Sequence, residues 1–364
     1  MDTHSQPSST SARAKPDYSM LWVTNMLCNY NCVYCSASCQ IFSKDCAETE
    51  PQPRRREQPA VGKYSPEHIA RCFDSTGKVW KILLMGGGEC FLYPQFVELV
   101  RALTQIHYVE VATNLSTPNV YQFADVIPSQ KVLRVVASLH IMEREKRRNG
   151  VEEFIDKVIC LQDKGFNVSV QYVVYPPLIP RALKDMEYFT SRGIDSFFFR
   201  PFQGIYAGAT YPASYTEEEK ILLKSRAWDT REIDMMHLNA FGRLCGTGTY
   251  SFHMDYMGNL GRCLSSQKRY GNFFTGKYYF DEHPKPCPVR MCTCPLIYQG
   301  QISSTKGSAS SVMAEMIKEA WIRYPPYHPK VAVDGLRSEF SSRRYRKANT
   351  MSIEESTLQI RQRI

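Results

Sequence analysis

Short apolar runs rich in β-branched and aromatic residues alternate with segments of helical periodicity along the first two thirds of the chain. The runs predict six strands, at residues 20–24, 79–86, 108–113, 132–140, 168–175 and 196–202. The segments between and after them predict helices at residues 66–75, 94–106, 119–127, 150–165, 181–193 and 216–228. The runs are apolar on both faces, so the pattern predicts an α/β fold with a parallel sheet covered by helices.

Cap residues support these boundaries. Gly165 and Gly193 stand at the ends of two predicted helices, where the left-handed backbone of a C-cap favours glycine. Pro66 follows Ser65 at the start of the first helix, the order expected for an N-cap and the first helical position. Ligands of such sheets bind at the carboxyl ends of the strands. We therefore expect the functional residues in the loops that follow the strands.

The pattern changes beyond about residue 238, where a stretch rich in Cys, Gly and Tyr runs to Gly300. A predicted helix at residues 310–324 and a basic tail follow. The polar, Ser/Pro-rich N-terminus predicts disorder, and the Pro/Arg-rich residues 48–63 predict an irregular insertion. The expected organisation is a disordered segment, a main domain, a small Cys-rich domain and a C-terminal helix with its tail, at residues 1–18, 19–237, 238–300 and 301–364.

The composition is that of an ordinary globular protein, with 43% hydrophobic and 22% charged residues. No apolar run approaches the roughly 20 residues of a membrane span. The N-terminus lacks the apolar segment of a secretory signal. The sequence therefore predicts a cytoplasmic protein without a membrane partner, in which the thirteen cysteines are not a set of disulfides.

The formal net charge is +9, and much of the excess lies in basic clusters at residues 53–56, 143–149 and 341–347. Such clusters are most often solvated faces or flexible arms. Thiolate ligands of iron–sulfur sites would also lower the true charge. An anionic small substrate explains the charge as well as a nucleic acid does, and we do not expect a nucleic acid partner.

Three closely spaced cysteines, Cys28, Cys32 and Cys35, follow the first predicted strand as C-x3-C-x2-C. Zinc usually takes four ligands, and this segment contains no histidine. Three cysteines can bind three irons of a [4Fe–4S] cube and leave the fourth iron open to a small molecule. Cys39 is a candidate fourth ligand that would close the site. The spacing alone leaves both arrangements open.

The second predicted strand ends in the sequence MGGGEC, which contains Gly87, Gly88, Glu89 and Cys90. Glycines at a strand end let a ligand approach the backbone, and a carboxylate there can accept hydrogen bonds from an ammonium group. A glycine-rich turn is a weak signal by itself. One β–α unit after C-x3-C-x2-C, it resembles the paired motifs of the radical S-adenosylmethionine (radical SAM) superfamily. Cys90 departs from the many relatives that have proline after the glutamate.

The resemblance implies a partial (β/α)6, TIM-like barrel that binds one [4Fe–4S] cluster and S-adenosylmethionine (SAM). The cluster ligands would be Cys28, Cys32 and Cys35. The expected SAM contacts are Tyr34 at the adenine, Gly87, Gly88 and Glu89 at the amino group, and Asn114 and Ser138 at the ribose and carboxylate. A reductant such as flavodoxin or ferredoxin would supply the electron that cleaves SAM to a 5′-deoxyadenosyl radical. Arg200, beside Gln171 near the ends of the last two strands, is a candidate substrate contact.

A second cysteine group begins with Cys245 and Cys263, which flank a predicted β-hairpin with its turn at Gly258-Asn259. Behind a radical SAM barrel, this C-x12-G-x4-C pattern resembles the SPASM/Twitch extension, and the cysteine count favours the Twitch form with one auxiliary [4Fe–4S] cluster. A zinc ribbon is the alternative. The expected ligands are Cys245, Cys263, Cys294 and Cys292, with Cys287 as the alternative to Cys292.

The resulting hypothesis is a radical SAM enzyme that oxidises or epimerises a polar small substrate such as a sugar, an aminocyclitol or a nucleotide-sugar. Leu264 stands where sulfatase-maturing relatives have an acid, so Asp255 is a candidate base instead. Epimerisation would need a thiol that returns a hydrogen atom, and Cys90 and Cys39 are candidates. A peptide- or protein-modifying maturase is the second interpretation. A non-enzymatic metal-binding protein that associates with RNA is a third, and it predicts no cleavage of SAM.

Overall fold

The predicted strands form the centre of the structure. The structure is a computed structural model, and it describes residues 16, 18–35, 61–227, 240–266, 268–288, 302–307 and 311–312. The strands are β1 (Tyr18–Val23), β2 (Trp80–Met85), β3 (Tyr108–Thr113), β4 (Val132–Ser138), β5 (Val168–Val174), β6 (Phe197–Pro201), β7 (Gly204–Tyr206), β8 (Ala209–Tyr211), β9 (Arg243–Cys245), β10 (Ser251–Met254), β11 (Asn259–Gly261), β12 (Arg269–Asn272), β13 (Lys277–Tyr278), β14 (Lys285–Pro286) and β15 (Ile302–Lys306). The α-helices are α1 (Pro66–Asp74), α2 (Phe96–Leu103), α3 (Asn119–Val126), α4 (Ile141–Glu145), α5 (Gly150–Asp163), α6 (Ala182–Ser191) and α7 (Glu217–Ser225).

Strands β1 to β6 lie side by side in sequence order, and every neighbouring pair among them is parallel. A helix follows each of the first five strands before the next one begins. Among the described residues β6 does not pair with β1, so the barrel stays open. The fold-class prediction of a partial (β/α)6 barrel is confirmed, and each of the six strands begins and ends within two residues of its predicted bounds.

Local sequence explains where the helices begin and end. The Ser65 side chain accepts a hydrogen bond from the His68 amide and caps α1, and Pro66 occupies the first turn. Thr216 and Glu219 form a reciprocal capping box at the start of α7. Gly165 and Gly193, after α5 and α6, have φ values of 80° and 88°, as their C-cap prediction requires. These caps confirm the helix boundaries that the sequence indicated.

The core lies between the sheet and the helices that cover it. Alternate residues of β2, beginning with Trp80, are fully buried against this layer. Phe73 from α1 and Trp22 from β1 pack there, with the Phe73 ring centroid 5.6 Å from that of Trp80. Burial of each such ring contributes roughly 1.5–3 kcal/mol. The opposite face of the sheet carries Ser138, Gln171 and Arg200 among apolar residues such as Val136 and Phe198. We call the part of that face formed by Ser138, Gln171 and Arg200 the polar face.

The C-terminal extension joins the barrel through its sheet. Strand β10 pairs in parallel with β1, with Ser19 aligned to Ser251 and Trp22 to Met254. The Ser19 hydroxyl also donates to the Ser251 hydroxyl at 2.8 Å. Strands β11, β12 and β13 continue this sheet as antiparallel neighbours. The predicted hairpin is confirmed, but its place beside β1 was not predicted, because pairing between distant segments leaves no local pattern.

Several short elements were also missed by the sequence. Helix α4 has five residues, and β7 and β8 form a hairpin of three-residue strands. A three-stranded sheet in the order β14-β9-β15 carries the extension past residue 300. Within the described part of the chain, no helix is long and apolar enough to cross a membrane. The predicted N-terminal disorder and the 48–63 insertion lie almost entirely outside the described residues.

Candidate functional site

The loop after β1 carries the three cysteines of the first motif as thiols. Cys32 is buried, and Cys28 and Cys35 are partly exposed. The Cys35 amide donates to the Cys32 carbonyl at 3.1 Å, which closes a tight turn between two of the cysteines. The Tyr30 amide donates to Cys28 Sγ at 3.5 Å. An N–H directed at sulfur favours the thiolate, the form of cysteine that binds metals.

The glycine-rich turn after β2 is bound directly to this loop. The Gly88 amide donates to the Asn25 carbonyl at 3.3 Å and the Glu89 amide to the Leu27 carbonyl at 2.6 Å. A Cβ at residue 88 would lie 1.7 Å from the Leu27 oxygen, and one at Gly87 would lie 2.1 Å from Met26 Sδ. The two glycines therefore allow one motif to pack closely against the other. This role is additional to any contact with a ligand.

Glu89 is 1% exposed, whereas the glycines before it are partly exposed. Its Oε1 accepts from the Thr113 hydroxyl at 2.5 Å and the Phe91 amide at 3.1 Å, and its Oε2 accepts from the Asn114 amide at 2.6 Å. Burial raises the pKa of Glu89, and these hydrogen bonds partly offset that rise. The carboxylate thus links the ends of β2 and β3, and the partly exposed portion of the motif is glycine backbone.

Asn114 and Ser138 were predicted as SAM contacts at the ends of β3 and β4. Asn114 is buried, and its Nδ2 donates to Asn29 Oδ1 at 3.3 Å and lies 4.0 Å from Cys28 Sγ. Ser138 is partly exposed and is aligned with Gln171 across the β4–β5 pair. Asn114 therefore lies against the cysteine loop and the Glu89 carboxylate, and Ser138 lies on the polar face of the sheet.

Tyr34, which is part of the cysteine loop, contacts residues that follow β4 and β5. Its hydroxyl is 3.4 Å from His140 Nδ1, and its ring centroid is 5.3 Å from that of Tyr175. Burial raises the pKa of Tyr34 well above its usual value, with a smaller contribution from Cys32. The phenol is therefore protonated at neutral pH and presents an aromatic surface at this edge.

Arg144, in α4, binds the same loop through a hydrogen bond. The sequence did not predict it as a site residue. Its guanidinium is buried and donates to the Leu139 carbonyl at 2.5 Å, to the Tyr30 hydroxyl at 3.0 Å and to the Asn114 carbonyl. It also lies 4.0 Å from the Phe154 ring centroid. Burial lowers the pKa of Arg144 to about 10, so the group is cationic at neutral pH.

The basic cluster at residues 143–149 is exposed at residues 145–149 and buried at Glu143 and Arg144, so it is a solvated face only in part. Glu143 Oε2 accepts from the Asn31 amide at 3.2 Å. Arg147 donates to the Asn29 carbonyl at 3.0 Å. The sequence signal was present, because the cluster follows β4 at the edge where ligands bind, but its charges resembled those of an exposed turn.

Cys90 lies in the hydrophobic core and is fully buried. Its thiol donates to the Ala112 carbonyl at 3.1 Å and the Leu84 carbonyl at 3.5 Å. Burial raises the pKa of Cys90 well above its usual value, and the nearby Glu89 adds to the rise. This geometry gives the thiol a packing role and does not support its predicted role as a hydrogen donor. Cys39, the other candidate, lies outside the described residues.

Two further predicted residues, Arg200 and Asp255, lie apart from each other. Arg200, on β6, donates to Gln171 Oε1 at 3.1 Å, on the same sheet face as Ser138. Asp255 lies in the turn after β10, where its Oδ1 accepts from the amides of Met257 and Asn259 at 2.9 Å. Arg200 is thus near the expected substrate face, whereas Asp255 holds the hairpin turn.

The second cysteine group converges in the extension. Cys245, Cys263 and Cys287 are buried thiols. Lys285 on β14 pairs with Cys245 on β9, so Cys287 is a diagonal neighbour of Cys245, about 7 Å away between Cα atoms. Arg262 is buried beside Cys263 and donates to the Lys285 carbonyl at 2.7 Å. This hydrogen bond places Cys263 near β14. Cys292 and Cys294 lie outside the described residues.

The residues of the first loop fit an iron–sulfur cluster. Its donor set is three thiols on one short loop, the ligand type that such clusters use. The hydrogen bonds of Arg144 go to carbonyl oxygens and a phenol, and none goes to a carboxylate among the described residues. A buried cation is costly unless an anion lies near it. The buried Glu89 carboxylate already interacts with Arg144, and a thiolate-bound cluster would add further negative charge. No three His, Cys, Asp or Glu side chains in the described ranges are arranged to hold a single metal ion.

The chain is distantly similar to several solved structures. No curated protein matches the chain by sequence. Among solved structures, anSMEcpe with bound AdoMet has a TM-score of 0.46 and 15% identity, covering 70% of this chain and 78% of that one. SuiB of Streptococcus suis bound to precursor peptide SuiA has a TM-score of 0.45 and 12% identity, covering 73% and 65%. BtrN in complex with AdoMet and 2-DOIA has a TM-score of 0.32 and 11% identity, covering 72% and 80%.

The family model of the Radical SAM superfamily matches residues 23–187. The matched range begins at the end of β1 and includes the cysteine loop, the glycine-rich turn and the strands up to β5. Residues 23–187 are therefore similar to the radical SAM superfamily domain.

Proposed function

We propose that this protein is a radical SAM enzyme that removes a hydrogen atom from a polar small molecule. The observation that carries the proposal is the junction of three elements at one edge of the barrel. The loop with Cys28, Cys32 and Cys35 is hydrogen-bonded to the glycine-rich turn, and Glu89 binds that turn to the end of β3. The superfamily match covers all three elements.

In this proposal the three thiolates would hold a [4Fe–4S] cluster, and residues at the strand ends would bind SAM. The backbone of Gly87 and Gly88 would receive the amino group of SAM, because the Glu89 oxygens already have protein donors. Asn114 and Ser138 would contact the ribose and carboxylate, and Tyr34 would contact the adenine. When bound, the cluster and SAM together supply a 5′-deoxyadenosyl radical.

The chain's own task is to position the substrate and exclude water. Glu89, Asn114 and Tyr34 are all buried, so the predicted SAM site has little access to solvent. Arg144 holds the loop, β3 and β4 together through Tyr30, Asn114 and Leu139. A rigid arrangement of this kind keeps reacting atoms within the short distances that hydrogen transfer needs.

We infer a sugar, an aminocyclitol or a nucleotide-sugar as the substrate, with oxidation or epimerisation as the outcome. The polar face of the sheet supports this inference, because Ser138, Gln171 and Arg200 provide donors and acceptors on neighbouring strands. Arg200 would pair with an anionic or hydroxylated part of the substrate. Peptide modification is the alternative function, and a substrate screen would distinguish the two.

For the extension we propose an auxiliary [4Fe–4S] cluster bound by Cys245, Cys263, Cys294 and one further cysteine. Cys292 was the sequence choice for that position. The β9–β14 pairing now favours Cys287, because it is a buried neighbour of Cys245. Such a cluster would accept an electron during oxidation of the substrate.

The proposal is tested by anaerobic reconstitution, followed by iron and sulfide counts and by measurement of 5′-deoxyadenosine formed from SAM. Wild type should bind about eight irons, and the Cys28→Ala/Cys32→Ala/Cys35→Ala variant about four, without SAM cleavage. Cys160→Ala is the matched control, because that partly exposed thiol lies on α5 away from both cysteine groups. SAM cleavage by the triple variant, or an iron-free wild type, would refute the assignment.

A further inference from the structure

The outer surface of the cysteine loop lies beside a group of cations. Asn29 and Asn31, which stand between the first two cysteines, are exposed. Lys146, Arg147 and Arg148 follow α4 and are also exposed. We call these three residues the basic patch. They belong to a cluster whose inner members, Glu143 and Arg144, are buried against the loop.

The basic patch is attached to the loop by direct contacts. Arg147 Nη2 donates to the Asn29 carbonyl at 3.0 Å, and its guanidinium lies 4.6 Å from the Tyr30 ring centroid. Lys146 Nζ forms an ion pair with Glu143, whose other carboxylate oxygen accepts from the Asn31 amide. The patch therefore lies one side-chain length from residues adjacent to Cys28 and Cys32.

The charge of the patch is compensated only in part, because Arg147 and Arg148 have no ion-pair partner in the described part of the chain. Glu143 is buried and pairs with Lys146, and the nearby Glu145 is bound to Arg181 at 2.7 Å. A local excess of exposed positive charge attracts an acidic partner and speeds its productive encounter. Such a field acts over roughly 8–10 Å at physiological salt, a range that includes the loop surface.

The proposed reaction needs one electron delivered to the first cluster from outside the chain. A donor that binds on the basic patch would lie directly over the loop between Cys28 and Cys32. We propose that the basic patch is the docking surface for an acidic one-electron carrier protein with a flavin or iron–sulfur centre. This inference rests on the proposed function and names the partner of the same site. A nucleic acid is the competing occupant, but the contact with the cysteine loop favours an electron carrier.

The test compares two electron donors on the reconstituted enzyme by stopped-flow absorbance of the iron–sulfur centres. The variant Lys146→Glu/Arg148→Glu reverses two charges and leaves Arg147, which contacts the loop, unchanged. An acidic flavodoxin hydroquinone should reduce this variant at least about tenfold more slowly than wild type at low salt. The wild-type rate should fall as salt rises, and the variant rate should not.

Photoreduced deazariboflavin, an uncharged donor, should reduce the variant and wild type at the same rate. The matched control is Arg71→Glu/Arg101→Glu, which reverses two exposed charges in the last turns of α1 and α2. Those turns lie at the opposite edge of the barrel, because the helices run antiparallel to the strands. This control should retain the wild-type rate with flavodoxin.

An unchanged flavodoxin rate in Lys146→Glu/Arg148→Glu would overturn the docking proposal, as would an equal loss in the α1/α2 control. Binding of a single-stranded RNA that is lost in the variant, with flavodoxin reduction unaffected, would assign the patch to nucleic acid instead. If the charge reversal lowers the iron content, Lys146→Gln/Arg148→Gln replaces it, with a smaller loss of rate expected. Failure of wild type to cleave SAM with deazariboflavin would refute the proposed function itself, so the two failures are distinguishable.

Discussion

At the scale of single residues, Arg144 shows how a charged side chain can have a structural task inside a functional site. It is among the largest fully buried side chains and makes its hydrogen bonds to the ends of β3 and β4 and to the cysteine loop. Replacing it would leave several buried carbonyl oxygens without a donor, which costs about 1–3 kcal/mol per group.

Arg144→Leu should therefore lower the free energy of unfolding of the cluster-free protein by at least about 2 kcal/mol, because at least two carbonyl oxygens lose their donor. Urea denaturation followed by tryptophan fluorescence measures this change. The matched control is Arg192→Leu, which removes an exposed arginine bound to Glu152 and should cost less than about 1 kcal/mol. Equal losses of unfolding free energy in the two variants would contradict the structural role of Arg144.

Gly88 illustrates a requirement for close backbone contact. Gly88→Ala would place a Cβ 1.7 Å from the Leu27 oxygen, so the cysteine loop must move. We expect a loss of about 1–3 kcal/mol in stability and a clear loss of bound iron after reconstitution. Gly77→Ala is the control, because its Cβ meets nothing within 4 Å and only the positive φ opposes it. That variant should retain its iron.

At the scale of elements, strand β10 attaches the C-terminal extension to β1 of the barrel. Phe252 and Met254 are fully buried in the core, and His253 points to the other face in line with Leu21. Burial lowers the pKa of His253 to about 4, and the nearby Arg269 adds to that shift. The imidazole is therefore neutral in the folded protein at neutral pH.

This shift predicts a pH dependence of stability. Between pH about 6.5 and 4 the unfolded chain takes up a proton at residue 253, whereas the folded chain does not. The free energy of unfolding should therefore fall across this window as pH falls, by up to about 3 kcal/mol from this residue. His253→Gln should show a smaller fall when urea midpoints are compared at pH 7 and pH 4.5. An identical pH dependence in the variant would contradict the assignment.

The elements also show what local sequence can and cannot predict. The six barrel strands and the helix caps at Ser65, Thr216, Gly165 and Gly193 follow from periodicity and cap chemistry, which act over a few residues. The parallel pairing of β10 with β1 joins residues more than 200 positions apart. No local pattern encodes such a partner, because any half-buried strand edge could accept it.

At the scale of the whole molecule, the barrel and the extension share one continuous sheet, so events at the clusters should change global stability. A ligand that binds only the folded state stabilises it in proportion to the logarithm of its concentration relative to its Kd. Removal of iron by an anaerobic chelator should lower the Tm of the reconstituted enzyme by several degrees. Cys28→Ala/Cys32→Ala/Cys35→Ala should show a smaller chelator effect, measured by calorimetry. An equal decrease in both proteins would locate the stabilising metal elsewhere.

The sequence by itself determined the strand and helix order of the barrel and the position of the cysteine loop and the glycine-rich turn. Both depend on residue types at short spacing, and the superfamily match to residues 23–187 agrees with them. Only the tertiary structure decided that Glu89 is bound by Thr113 and Asn114, that Cys90 packs in the core, and that Arg144 and Arg147 hold the cysteine loop. The physical reason is that burial and hydrogen-bond partners arise from segments far apart in the chain, which meet only when the sheet has formed.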